Sequence, residues 1–259
     1  DAAFDAGPKV CSDHGFCPTP IPDGKTVKSL WGDGAGIVWA ATEEGDVLRW
    51  DGTAWKAHVS DLGPLNVIWG SGPSDVWVGG EQGLFHGTGA TSVELSFEPV
   101  SLPGDSMPVT SIWGLSPVDI WAVAGSPWDF VGQVFHFTAD AGDGDGGADA
   151  GEVRDAGDGA SGQWELHPVS SNGLRFTRVW GTAAGGVWIS GQKPMEEMPW
   201  VGEPAVVHID GDDEPVEIVL PLDPDPDVYP WEKESTITGA FVASKTSLTI
   251  WAQPISIFS

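Results

Sequence analysis

Short apolar runs separated by Gly, Pro and Asp recur along this chain, and four of them carry the same mark. Trp-Gly occurs at Trp31-Gly32, Trp69-Gly70, Trp113-Gly114 and Trp180-Gly181, and a second tryptophan stands eight residues after each first one, as Trp39, Trp77, Trp121 and Trp188. Val38, Val76, Ile120 and Val187 precede these second tryptophans. Runs this short, rich in β-branched and aromatic residues and bounded by turn formers, predict strands. The turn between the two tryptophans is clearest in Gly70-Ser71-Gly72-Pro73-Ser74-Asp75, where Gly, Pro and Asp suit a tight reversal.

A unit of four strands accounts for each copy. Strand A ends at the first tryptophan, and strand B carries the second and runs into glycine, as in Val76-Trp77-Val78-Gly79. Strand C is Val47-Leu48-Arg49-Trp50, Leu84-Phe85-His86, Val134-Phe135-His136-Phe137 or Val206-Val207-His208-Ile209. Asp51-Gly52 and Asp210-Gly211 follow it as two-residue hairpin signals. Strand D holds Trp55, Phe97 or Trp164, and spans Val216 to Leu220 in the fourth copy. A degraded fifth copy aligns Ile237-Thr238-Gly239-Ala240-Phe241 with Val109-Thr110-Ser111-Ile112-Trp113, and Trp251 is its second tryptophan.

The period is 38 to 44 residues, or 67 where an insertion intervenes. Four strands at that period make a propeller blade. The expected fold is all-β, a β-propeller with four complete blades (26–60, 64–101, 108–169 and 175–220) and a partial fifth (235–259). An Asp/Gly-rich insertion covers 139–162, and a lead-in covers 1–25. Inner strands such as Asn66-Val67-Ile68-Trp69 are expected to be covered on both faces, with aromatics filling the wedge between blades. Phe16 stands 15 residues ahead of Trp31, much as Phe97 and Trp164 stand 16 ahead of Trp113 and Trp180. Phe16 to Ile21 is therefore expected to be the outer strand of the last blade, closing the ring and covering a strand edge.

The run Trp-Gly-Ser-Gly-Pro-Ser-Asp-Val-Trp-Val-Gly from Trp69 to Gly79, with strand ends of the Trp50-Asp51-Gly52 type, resembles the tryptophan-rich propeller repeat of secreted and lipid-anchored myxobacterial proteins. The resemblance covers residues 11–259, including the lead-in from Cys11 to Cys17. It implies a propeller outside the cytoplasm, in the medium or on the outer cell surface. It implies no particular activity, since fold alone does not license function.

Charge narrows the partners. There are 38 acidic residues against 11 basic ones, a formal net charge of −27. Such a surface repels phosphate backbones, which argues against nucleic acid, and it attracts cations and basic partners. No run reaches the roughly 18 apolar residues of a membrane helix. The two cysteines, Cys11 and Cys17, favour a local disulfide in an oxidising compartment. A zinc site begun by Cys11, His14 and Cys17 is the alternative, but it lacks an evident fourth ligand.

Several residues invite chemical readings. Asp75 and Asp119 are expected to cap turns, because the Asp-box pattern of sialidase-type propellers is absent. His86, His136 and His208 share one place in strand C, with Arg49 in the first copy. Equivalent places on different blades diverge around a ring, so a repeated structural role, such as bonding to a neighbouring blade, is expected rather than metal ligation. In the insertion, Asp143, Asp145, Gly146, Asp149 and Glu152 match positions 3, 5, 6, 9 and 12 of a calcium loop, although Ala141 at position 1 cannot ligate. Calcium is thus the one cofactor the sequence suggests, against a simple solvated loop.

The off-pattern aromatics point to a binding face. Trp128, Asp129 and Phe130 lie in the B–C loop of blade three, and Glu196, Glu197 and Trp200 in that of blade four. Tyr229 and Trp231 lie in the connection to blade five. In an up-and-down blade the B–C and D–A loops leave the same face, so these residues are expected to form one ligand-binding rim. The competing reading makes them loop anchors. The expected function is a non-catalytic binding scaffold for a protein or glycan. The alternatives are a component of a surface assembly, or a propeller glycosidase or lyase, which would need converging carboxylates. Gly-x-Ser-x-Gly, phosphate-loop and His-Glu-x-x-His motifs are absent.

Overall fold

The structure is a computed structural model that describes residue 13 and residues 19–126, 129–139, 162–171, 173–196, 199–211, 215–219, 235–244 and 247–254. Four consecutive antiparallel sheets of four strands each follow the chain as simple meanders. The first holds β1 (Val27–Gly32), β2 (Val38–Thr42), β3 (Val47–Trp50) and β4 (Trp55–Val59). The second holds β5 (Leu65–Gly72), β6 (Asp75–Gly80), β7 (Gly83–Thr88) and β8 (Ser96–Val100). The third holds β9 (Val109–Ser116), β10 (Asp119–Gly125), β11 (Gly132–Thr138) and β12 (Gln163–Leu166). The fourth holds β13 (Arg175–Thr182), β14 (Gly186–Pro194), β15 (Gly202–Ile209) and β16 (Val216–Val219). A final pair, β17 (Ser235–Ser244) and β18 (Ser247–Pro254), forms a two-stranded sheet.

The spacing of the tryptophans is a hairpin register. Trp31 lies opposite Trp39, Trp69 opposite Trp77, Trp113 opposite Trp121 and Trp180 opposite Trp188. The last pair departs from the expected alignment, because Trp251 lies opposite Gly239 and Phe241 opposite Thr249. The observed register thus stands two residues away from the one that sequence likeness implied, with register shifts between Ile237 and Gly239 and between Val242 and Ser244.

First strands are neighbours from sheet to sheet, β1 beside β5, β5 beside β9, β9 beside β13 and β13 beside β17. Side chains stitch them: Asn66 Nδ2 donates to Val109 O (3.1 Å), Thr110 Oγ1 to Phe176 O (3.3 Å) and Val179 N to Ser111 Oγ (3.2 Å). The core is divided into layers between successive sheets, centred on Trp39, Val47 and Ile68, then on Trp77, Ile112 and Phe135, then on Trp121, Phe176 and Ile189.

The Trp-Gly dipeptide interlocks the sheets. A methyl group on Gly70 would lie 2.8 Å from Cη2 of Trp31, one on Gly114 2.7 Å from Cη2 of Trp69, and one on Gly181 2.8 Å from Cη2 of Trp113. Each glycine thus leaves room for the indole of the preceding sheet on one side and for a carbonyl of its own hairpin on the other, Asp75 O at 2.8 Å, Asp119 O at 2.8 Å and Gly186 O at 2.5 Å, so a larger residue fits against neither. The second strand, rather than the first, is the most completely covered: every residue of β6 is buried, while Trp31, Trp69, Trp113 and Trp180 are only half-buried. The first strand has a strand neighbour within its sheet on one side only, so its outer edge stays more open than the sequence reading allowed.

Among the described residues no strand pairing joins the first sheet to the last, and Thr19 to Ile21 lie outside any strand. Phe16, Cys11, His14 and Cys17 lie outside the described residues.

Candidate functional site

The B–C and D–A connections do leave one face. Leu62 N donates to Gly45 O (3.1 Å), Glu81 N to Pro64 O (2.9 Å) and Gly125 N to Pro108 O (3.1 Å), each bond tying a B–C turn to the neighbouring start of a first strand. In the first sheet this face is self-satisfied. Glu44 accepts from Thr26 N (2.8 Å), which holds its carboxyl below the usual range. Asp46 is buried, which by itself would raise its pKa. Its hydrogen bonds, led by that from Lys25, outweigh burial and lower it, and the same contact raises Lys25.

The third and fourth sheets carry the candidate residues. Ser126 N donates to Val131 O (3.2 Å) and closes the β10–β11 loop. Asp129 is exposed but braced within that loop: its N–H donates to Ser126 Oγ, and Ser126 Oγ donates to its carboxylate, both at 3.2 Å. Phe130 is half-buried. The Arg175 guanidinium carbon lies 5.4 Å from its ring centroid, and its Cε1 would lie 3.0 Å from a methyl group on Gly202. Phe130 therefore anchors the loop of the third sheet against the fourth, which is the loop-anchor reading rather than the ligand-facing one.

Trp200 behaves oppositely. The β14–β15 ladder runs out to Pro194 opposite Gly202, and Met195 N donates to Val201 O (2.9 Å) beneath its tip. Trp200 stands on that tip with 75% of its surface exposed, and Glu196 in the same loop is exposed too. Trp128, Glu197, Tyr229 and Trp231 lie outside the described residues, so of the expected rim the structure describes only Asp129, Phe130, Glu196 and Trp200. Asp143, Asp145, Asp149 and Glu152 lie outside them as well; among the described residues no group of three His, Cys, Asp or Glu side chains is arranged to hold a metal.

The opposite face holds a repeated polar unit. Asp75 Oδ1 accepts from Trp77 Nε1 (3.1 Å) and from His86 Nε2 (2.5 Å). Asp119 Oδ1 accepts from Trp121 Nε1 (3.1 Å) and His136 Nε2 (2.8 Å). In the fourth sheet the Gly185 carbonyl oxygen accepts from Trp188 Nε1 and His208 Nε2, both at 2.9 Å. Each histidine is stacked on its tryptophan, with ring centroids 3.7, 4.0 and 3.9 Å apart. The histidines are structural, but their partners lie in the same sheet, not in a neighbouring one. Asp75 and Asp119 do more than cap turns, since each joins strand B to strand C. The sequence signal was present as an Asp two residues before the second tryptophan and a His across from it.

No family model matches the chain, and no curated protein sequence matches it. Among solved structures, it is similar to the selenomethionine-substituted virginiamycin B lyase from Staphylococcus aureus, at 12% identity and TM-score 0.56, over 96% of this chain and 77% of that one. It is similar to an ancestral GH74 enzyme at 11% identity and TM-score 0.51, over 88% of this chain and 32% of that one. A computationally designed protein, Ika8, aligns at 14% identity and TM-score 0.48 over 78% of this chain; this chain spans 52% of its length. At such identities the likeness defines the fold alone, a β-propeller-like all-β architecture. Among the described residues no helix is long and apolar enough to cross a membrane.

Proposed function

We propose that the chain is a non-catalytic binding scaffold, acting outside the cytoplasm, that presents the B–C and D–A face to a glycan or protein partner. The observation that carries the reading is Trp200, a large aromatic exposed at the tip of the extended β14–β15 hairpin on the face where both loop families gather. A solvated indole contributes nothing to the core, whereas on a sugar ring or an apolar side chain it supplies area and stacking. Glu196, exposed in the same hairpin loop, supplies an acceptor for hydroxyls or basic side chains in this reading. The test is retention on a glycan array: the wild-type chain binds a defined subset, and Trp200→Ala lowers that binding at least tenfold. Equal binding by the variant would remove the site.

The same proposal includes a closed propeller. The first sheet already has four strands, the last has two among the described residues, and the segment from Phe16 to Ile21 has the spacing of a strand D without a place in the first sheet. Pairing with the last sheet would cover an edge that otherwise invites association.

A further inference from the structure

In three sheets the strand-B tryptophan and the strand-C residue opposite it share one oxygen acceptor, Asp75 Oδ1, Asp119 Oδ1 or Gly185 O. The first sheet keeps both donors and lacks the acceptor. Arg49 stands opposite Trp39, the register that His86 holds opposite Trp77. Ile37 stands two residues before Trp39, where Asp75 stands before Trp77. Trp39 is fully buried, and its Nε1 and Arg49 Nε are both buried without a hydrogen-bond partner.

The indole has not simply turned away. Trp39 meets Phe97 of the next sheet edge-on at 6.3 Å and 68°, as Trp77 meets Trp164 of its next sheet at 5.5 Å and 73°. The Arg49 guanidinium carbon lies 5.9 Å from the Trp39 ring centroid, and its Nη2 donates to Ser92 Oγ (2.8 Å), which pins the side chain between the first two sheets. Asp51 nearby is committed to Thr53, Ala54 and Lys56. Trp164 and Trp180 also bury an unpartnered indole N–H, but for neither is a second unpartnered donor found opposite in the register.

Two buried donors left unsatisfied cost free energy that an acceptor would restore, and a guanidinium favours an anionic one. We propose that the first sheet binds one small carboxylate anion, of formate size, whose oxygen takes the place that Asp75 Oδ1 fills in the second sheet. Trp39 is fully buried and Ile37 packs against the same cluster, so the anion must share the volume of the Ile37 side chain, which restricts it to a few atoms. Arg49 supplies the local positive charge that the overall charge of −27 opposes.

The probe is sodium formate, titrated at constant ionic strength while the indole N–H resonance of Trp39 is followed by nitrogen-15 NMR, assigned with Trp39→Phe. A saturable shift is expected in the wild-type chain, and at least tenfold weaker binding in Ile37→Asp, where the built-in carboxylate occupies the place. Ile37→Asp keeps both donors, so the comparison does not depend on a variant that loses them. An unmoved resonance in the wild-type chain, or an equal response in Ile37→Asp, would overturn the proposal, leaving water as the acceptor.

Discussion

Trp77 and His86 lie flat on one another, their ring centroids 3.7 Å and their planes 12° apart, and both donate to one oxygen of Asp75. A carboxylate only accepts, so His86 holds a proton on Nε2. Stack and shared acceptor together bind strand B, strand C and the A–B turn into one rigid unit.

This arrangement separates two otherwise similar aspartates. Side-chain exposure is 12% at Asp75 and 35% at Asp119. Asp75→Ala leaves two donors facing little water and is expected to cost roughly 2–3 kcal/mol, while at Asp119→Ala water substitutes and the cost stays below about 1 kcal/mol. Urea unfolding of the two variants checks the difference.

The indole interlock predicts a contrast among the Trp-Gly glycines. Gly114→Ala forces a methyl into the Trp69 ring and is expected to destabilise by roughly 1–3 kcal/mol. Gly32→Ala meets nothing nearer than 3.8 Å and should be close to neutral. Thermal unfolding distinguishes them; because Gly114→Ala also meets Asp119 O at 2.8 Å, the interlock is read from the part of its cost that Trp69→Ala relieves, and no relief would contradict it.

His167 sets a pH dependence. Burial, and after it the nearby His136, lower its pKa below the ordinary histidine value. The folded state therefore disfavours the proton that the unfolded chain accepts. Its contribution is complete above about pH 6.5 and is lost as pH falls through that value toward the depressed folded pKa. His167→Gln should flatten the stability profile below about pH 6.5 relative to wild type, as read from denaturant midpoints across that range.

Ring closure is checked by truncation. Removing residues 1–21 should leave an open strand edge and produce concentration-dependent association in sedimentation velocity. A truncated chain that stays monomeric with unchanged stability would rule out closure by that segment.

The repeat made much of the fold legible. Tryptophan spacing marked the hairpin register, and Gly/Pro/Asp clusters marked the turns, because both are local constraints. Less was legible where neighbouring sheets decide. The sequence showed Trp-Gly but not that glycine serves the indole of the preceding sheet. It placed Phe130 and Trp200 alike in B–C loops, whereas packing against Gly202 and Arg175 makes one an anchor and leaves the other exposed. The register of the last sheet differs by two residues from the alignment of its aromatic residues, because two register shifts that the sequence does not mark interrupt its pairing.

Repeat tryptophans such as Trp77 pack the core, and under the proposed function Trp200 meets the partner. The most direct measurement is a paired comparison of Trp77→Ala and Trp200→Ala in urea unfolding and in glycan-array retention. Trp77 is buried within the core, so its truncation should cost roughly 3–5 kcal/mol. Trp200→Ala should stay within about 0.5 kcal/mol of wild type while losing at least tenfold in retention. A Trp200→Ala chain that unfolds as readily as Trp77→Ala, or that retains glycan as wild type does, would contradict the division.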